Sequence, residues 1–367
     1  MAVYNKNGSE ITSVFSKAGA SLQQAFDIHG NELMSGHRDW SGMPSTFSTA
    51  LDSAMSYIQT YVDNHQNAYA FPVMTDVHTY FAWNEPNYIA WHKPNLFPVF
   101  LFLGDMTNAY IESQFNGAVD YMQGATNQKL LVAVGNHDFG DVNGSENCWV
   151  DGDTLPKEWW IPLLDDSCVF REGDNTLTYY WDDVDNNVRY IMMDSNSTVL
   201  KPNGAQLYSM SNLNWLATVL ESSGSKDVIV LNHAMGSGFY LVTDIDKENW
   251  KKDTGITNIN SFNSILLAFK NKSSISVTAD GVSNQHNFES TTGKLIGYIT
   301  GHYHNAGFYD GAGFNKWTCN ALTRGGGTSR QSYKGLSFFI VDKELQKIIF
   351  IVVRYQNAEF ETYEYSY

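Results

Sequence analysis

Five short segments of this chain carry side chains able to hold a cation. They are Thr75-Asp76-Val77-His78, Gly104-Asp105, Gly135-Asn136-His137-Asp138, Asn232-His233 and Gly301-His302-Tyr303-His304. Mixed carboxylate and imidazole donors suit manganese, iron or zinc better than calcium, which takes oxygen ligands. Asp-x-His and His-x-His would set two side chains on the same side of an extended backbone, because side-chain direction repeats every two residues. Three Asp/Asn and four His are what two ions need if each takes four protein ligands and one ligand is shared. An aspartate could bridge the two ions through its two oxygens. Paired ions stabilise the attacking and leaving oxygens of phosphoryl transfer and lower the pKa of a shared water, so that hydroxide is available near neutral pH. His137 would remain free to protonate a leaving alcohol, and Asp138 beside it could orient that imidazole.

These segments follow apolar runs. Ala68–Met74, Pro98–Leu103, Lys129–Val134, Val228–Leu231 and Leu295–Thr300 read as strands, and each donor group comes directly after one of them. In α/β sheets ligands bind at the carboxyl ends of strands, so such an order brings distant segments to one rim. Val188–Met193 is expected as a further strand. Ser45–Asn64, Ala109–Gln123, Ser211–Glu221 and Phe262–Lys270 carry apolar residues at helical spacing. The chain ends in three expected antiparallel strands, Leu336–Val341, Lys347–Arg354 and Glu359–Tyr363. The layout is α/β with an antiparallel final portion.

Length and composition restrict partners and compartment. The chain has 367 residues, room for one large domain or two ordinary ones. Its 23 Lys+Arg against 39 Asp+Glu give a net charge of −16, which argues against a nucleic-acid or anionic-membrane partner. No run approaches about 18 apolar residues, so no membrane span is expected. The start, MAVYNKNGSEITS, lacks the basic and apolar regions of a signal peptide. A cytoplasmic or particle-associated protein is the expectation. Cys148, Cys168 and Cys319 show no metal-binding spacing; a Cys148–Cys168 disulfide and three buried thiols are both compatible with them.

Residues 1–36 differ from the rest. Tyr4…Gly8…Ile11, Phe15…Gly19…Leu22 and Phe26…Gly30…Leu33 repeat with a period of 11 residues. A glycine in mid-unit permits a tight turn. Each unit is too small to bury a core alone, so stacking or a partner chain is expected: an attachment or oligomerisation element before a domain at 37–367.

The ordered set DVH, GD, GNHD, NH and GHYH resembles the calcineurin-like metallophosphoesterase family. A lone GD or HxH is a weak signal; five motifs in order, each behind a strand, are specific. The resemblance spans about Phe71 to His304. It implies a four-layer αββα sandwich of two mixed β-sheets flanked by helices. It implies two divalent ions (Mn, Fe, Zn or Mg): Asp76, His78 and His304 on one, Asn136, His233 and His302 on the other, Asp105 bridging. It also implies that Asn136 and His137 touch substrate phosphate, with His137 as general acid. The chain departs from the protein Ser/Thr phosphatases of that superfamily, which carry arginine in GDxxxRG; here Met106-Thr107-Asn108 follows Asp105. A phosphodiester or small phosphomonoester is therefore the expected substrate. Arg324, next to Gly325-Gly326-Gly327, could clamp phosphate, as could Arg330. Trp149, Trp159 and Trp160 could wall a pocket, although tryptophan beneath a long loop more often packs in a core. His29, His37, His65, His92 and His286 have no such context and read as ordinary.

Overall fold

The computed structural model describes residues 43–79, 84–107, 112–123, 128–138, 160–164, 166–172, 176–195, 208–234, 258–279, 282–309, 312–322 and 334–367, with strand placements at 3–4, 10–11 and 240–241. Arg324, Arg330, Trp149, Trp159, Cys148 and most of the N-terminal repeats lie outside the described residues. Of the repeats, only β1 (Val3–Tyr4) and β2 (Glu10–Ile11) are described, paired antiparallel.

Continuous apolar runs make buried strands. β3 (Ala68–Met74), β4 (Val99–Leu103) and β5 (Lys129–Ala133) lie parallel, and all of β3 and β4 is buried. A run without polar alternation is what a strand covered on both faces requires. β16 (Gly335–Asp342), β17 (Lys347–Arg354) and β18 (Phe360–Ser366) continue this sheet antiparallel, in the order β18-β17-β16-β3-β4-β5. The second sheet has the order β10-β14-β15-β13-β9-β8-β7-β6. Its centre is the parallel set β8 (Val188–Met192), β9 (Asp227–Leu231), β13 (Leu295–Thr300) and β15 (Lys316–Thr318). Antiparallel neighbours complete it: β6 (Val169–Phe170), β7 (Tyr179–Asp183), β10 (Tyr240–Leu241) and β14 (Gly307–Tyr309).

The sheets pack face to face. Phe71 of β3 meets Tyr190 of β8 edge-on at 5.9 Å, and Trp317 of β15 meets Phe339 of β16 at 5.5 Å. Helices cover the outer faces. α1 (Ser45–Asn64) lays Phe47, Leu51, Ala54, Met55 and Ile58 on the first sheet, with α2 (Glu85–His92) and α3 (Glu112–Gln123) beside it. On the second sheet, α4 (Met210–Glu221) and α5 (Ile259–Lys270) bury Leu213, Leu216, Leu220, Phe262, Ile265 and Leu266. Ser209 caps α4 by accepting the Asn212 N–H at 3.1 Å. This is the four-layer α/β sandwich of two mixed sheets that the motifs implied. One addition was not legible: a polar hairpin, β11 (Ser274–Ala279) with β12 (Val282–Asn287), packed on α4 and α5.

The edge strand β5 is shielded. The Tyr179 hydroxyl accepts the Val132 N–H at 2.8 Å and donates to the Val132 carbonyl at 3.0 Å. Both backbone groups of a residue on an open sheet edge are thereby closed to an intruding strand. Among the described residues, Cys168 and Cys319 are buried free thiols. Trp160 is fully buried against Phe115, in the core rather than in a pocket wall.

Candidate metal centre

β3, β4 and β5 are neighbours in one sheet, and β9 and β13 are neighbours in the other. Their carboxyl ends meet at one rim of the sandwich. There the seven ligand positions implied by the motifs come together. Asp76, His78, Asp105 and His304 offer donor atoms all within 4.8 Å of one another, as do Asp105, His233 and His302. Asn136 joins the second group, with Oδ1 3.1 Å from His233 Nε2. Asp105 belongs to both groups.

The backbone does this in an unexpected way. Asp76, His78, Asp105, His302 and His304 all have positive φ, from 48° to 70°. They stand past the strand ends in left-handed turns, not on extended backbone as the alternation argument assumed. The shared direction of each pair therefore comes from the turn. Such a conformation costs a residue with a Cβ roughly 1–2 kcal/mol and persists only where the surroundings fix it. Here inter-strand hydrogen bonds fix it: Asp76 N–H to Gly104 O at 3.0 Å, His78 N–H to Asp105 O at 2.9 Å and Gly301 N–H to His233 O at 2.9 Å. Gly104 (φ +83°) could carry no side chain, since a Cβ there would lie 2.6 Å from Gly135 N and 2.7 Å from the His233 ring.

Asp76, Asp105 and His233 are each aimed by a second contact. Asp76 Oδ2 accepts the His302 N–H at 2.9 Å and lies 2.8 Å from the Thr75 hydroxyl, which leaves Oδ1 turned to His304 Nε2 at 3.1 Å. Asp105 Oδ1 accepts the His137 N–H at 2.8 Å. Its Oδ2 then faces His233 Nε2 at 3.2 Å and His78 Nε2 at 3.6 Å. So a single oxygen of Asp105 looks toward both groups, where the sequence argument had used two. His233 Nδ1 lies 2.7 Å from the Leu103 carbonyl, which can only accept, so that nitrogen carries the proton. Nε2 is thereby turned toward the cluster, the outer-shell orientation usual for a metal-ligating histidine. Thr75 and the Leu103 carbonyl were missed by sequence reading. Thr75 could have been flagged by its place in the TDVH motif; a backbone carbonyl leaves no mark.

The donor set fits a cation better than it fits itself. His233 Nε2 has Asn136 Oδ1, Asp105 Oδ2 and His302 Nδ1 at 3.1, 3.2 and 3.3 Å. One proton can serve only one of them. His78 Nε2 and His304 Nε2 face each other at 3.2 Å, and the buried Asp76 Oδ1 makes no well-shaped hydrogen bond despite its short contact to His304. Burial opposes charge on Asp76, but the His304 imidazole outweighs it and holds the carboxyl at about 2. Burial likewise opposes charge on Asp105, and His233 overcomes it and holds the carboxyl well below its usual range. Burial pushes His233 down, yet Asp105 beside it raises it to about 10, while burial lowers His78 to about 4. Two buried anions thus draw positive charge into the cluster, and ions with several open coordination positions satisfy every inward-facing atom at once.

His137 sits on the rim with its ring edge-on to His78, centroids 4.6 Å apart. Asp138 does not take the orienting role considered for it. It is fully buried, and its carboxylate accepts from Thr107 N–H at 2.8 Å, Thr107 Oγ1 at 3.0 Å and Gly135 N–H at 2.9 Å. Three donors occupy its two oxygens, and it ties the β4 and β5 loops together. Tyr303, between the two imidazoles, packs into the apolar layer under α4 and α5. His65 and His92 receive ordinary roles, each bonded through Nδ1 to the carbonyl four residues earlier, Tyr61 and Tyr88.

No family model and no curated protein matches the chain. Solved structures similar to it include purple acid phosphatase from yellow lupin (Lupinus luteus) seeds, at 10% identity over 82% of this chain and 54% of that one, TM-score 0.48. Phosphopantetheinyl hydrolase from Mycobacterium tuberculosis is similar at 13% identity over 70% of this chain and 89% of that one, TM-score 0.34. Vacuolar protein sorting 29 from Cryptosporidium parvum is similar at 9% identity over 82% of this chain and 99% of that one, TM-score 0.33. The chain spans about half the length of the lupin phosphatase. Such identities say nothing of substrate. Two mixed sheets packed face to face, with five donor-bearing strand ends at one rim, are the architecture that the motif resemblance implied.

Proposed function

We propose that this protein is a phosphohydrolase dependent on two divalent cations. Asp76, His78, Asp105 and His304 would hold one; Asp105, Asn136, His233 and His302 would hold the other. The observation that carries this reading is Asp105 Oδ2, turned toward both donor groups at once. Bound there, two ions would supply Lewis acidity to a phosphoryl group and acidify a water between them. The chain's own residues contribute orientation and proton transfer. Asn136 and His137 follow one another on the β5 loop and would contact phosphate oxygens. The His137 N–H bond to Asp105 fixes the backbone there and the ring stands on the rim beside His78, where it would protonate a leaving alcohol. The His304 side chain is 36% exposed while Asp76 is at 0%, so substrate would approach from the His304 side.

The preferred substrates are a phosphodiester or a small phosphomonoester rather than phosphoproteins. No guanidinium follows Asp105 here; buried Met106 and Thr107 occupy that stretch. The test is hydrolysis of an aryl phosphate diester and monoester with Mn²⁺, Fe²⁺, Zn²⁺ or Mg²⁺, for wild type and Asp105→Ala. Cleavage that needs metal and vanishes with Asp105→Ala supports the reading. No cleavage with any metal, or an unchanged Asp105→Ala variant, refutes it.

Attachment through residues 1–36 is a separate proposal, supported by the pairing of β1 with β2 and the 11-residue period. Deleting 1–36 should alter oligomeric state and leave hydrolysis intact. An unchanged state removes the repeats from the account.

A further inference from the structure

A sixth strand end reaches the centre. β15 runs parallel to β13, with Thr318 opposite Thr300. Two residues on, Asn320 lies just past the end of β15. It is fully buried, and its Oδ1 accepts the Ala306 N–H at 2.7 Å. Its own N–H reaches back to the Ser337 hydroxyl at 3.3 Å. Its Nδ2 has no partner among the described residues. From the same strand, the Thr318 hydroxyl donates to Gly301 O at 3.0 Å. Gly301 and Ala306 bracket the turn that carries both His302 and His304.

We infer that Asn320 is a positioning residue for the centre, acting through His304 with Thr318 as its companion at the other end of the turn. The inference rests on the two-ion reading proposed above. His302 and His304 both hold left-handed backbone, at φ 70° and 57°. Such a turn relaxes unless its ends are clamped. The His302 N–H is held by Asp76; past His304 the first described hold is the Ala306 N–H to Asn320 bond, followed by the β14–β15 ladder from Gly307 onward. An amide on a fully buried strand end leaves the Ala306 N–H no access to a water substitute, so its loss is not repaired locally. Nothing at the sequence level marks Asn320: it lies 16 residues beyond the last motif, in Cys319-Asn320-Ala321.

The test is equilibrium binding of Mn²⁺ to full-length protein, read as stoichiometry and stepwise affinity, with His304→Ala as reference for one lost ion. Asn320→Ala is expected to weaken, by about 10–100-fold, the ion that His304→Ala removes, the usual effect of deleting an outer-shell partner. Asn320→Asp keeps the acceptor for Ala306 and is expected to retain that ion to within about threefold. Thr318→Val, a near-isosteric change, is expected to weaken the same ion by a smaller factor, and it carries the test if Asn320→Ala fails to fold. Thermal unfolding in chelator separates the effect from general damage. An Asn320→Ala protein that unfolds earlier in chelator yet binds both ions as wild type overturns the inference, as does an Asn320→Asp protein as weak as Asn320→Ala. If wild type binds no Mn²⁺ at all, the two-ion reading itself has failed.

Discussion

Asp105 ends a strand of one sheet and His233 ends a strand of the other, yet Asp105 Oδ2 and His233 Nε2 lie 3.2 Å apart. The contact ties the two halves of the sandwich at the point where both donor groups overlap. Asp105→Asn keeps the shape and removes the charge that both groups share. Hydrolysis should fall by about 10²–10³-fold or more, the scale seen when one preorganised electrostatic partner is lost, and both ions should bind more weakly. Steady-state kinetics beside metal titration check this. Loss of one ion alone would mean that Asp105 serves one group.

Gly104 stands where three parts of the centre touch. A Cβ there would press on Gly135 N and the His233 ring, in a backbone region that L residues avoid. Gly104→Ala should cost at least about 2 kcal/mol of stability. Denaturant unfolding in chelator measures it directly, free of any stabilisation by bound ions. An unchanged midpoint would show that the loop yields.

Asp138 separates bracing from catalysis. Asp138→Ala strands the Thr107 and Gly135 N–H groups and should destabilise by roughly 2–4 kcal/mol. His137→Ala should instead leave stability almost unchanged and slow esters of poor leaving alcohols far more than aryl esters. That leaving-group dependence marks a lost general acid. A stable Asp138→Ala protein with the same dependence would restore the orienting role to Asp138.

Lys316 gives a pH signature away from the centre. It is 2% exposed, bonded to Asn263 Oδ1 at 2.8 Å, and burial lowers it from 10.5 to about 8. Between those values the unfolded chain holds a proton that the folded chain lacks, so stability rises with pH across the window. Below pH 8 the buried charge weighs against folding in full. Lys316→Met should remove the rise and add about 1–3 kcal/mol at neutral pH. Urea midpoints at neutral, mildly alkaline and strongly alkaline pH decide it. A falling or flat wild-type profile contradicts the assignment, once other groups that titrate there are matched by the Lys316→Met control.

Much of this architecture was readable because burial leaves a strong mark. Ala68–Met74 and Leu295–Thr300 are unbroken apolar runs bounded by glycine or polar residues, and their observed limits match the expected ones. α1, expected over Ser45–Asn64, likewise has those limits, its buried apolar stripe running from Phe47 to Ile58. The hairpin of β11 and β12 was not expected: Ser274–Ala279 does alternate polar and apolar residues, with Ile275 and Val277 packed on the core, but its partner Val282–Asn287 is polar after its first residue and shows no such period. α2 was missed because a short helix beginning Glu85-Pro86 has too few turns to show one. At the centre, residue types pointed to the right segments, since only a few side chains bind cations well. Conformation was not legible. Left-handed φ at Asp76 or His302 is imposed by neighbouring strands, and nothing in either residue announces it. The single-oxygen approach of Asp105 and the fully occupied carboxylate of Asp138 depend on distant backbone N–H groups for the same reason.

The most direct test of the central claim is metal stoichiometry in wild type, His302→Ala and His304→Ala, with each single-ion variant's remaining site identified by spectroscopy of a bound Co²⁺ probe. Two ions should bind the wild-type chain, and each variant should lose a different one. Two ions fewer in either variant, the same ion lost in both, or no ion bound by wild type would contradict a centre in which His302 and His304 serve neighbouring cations.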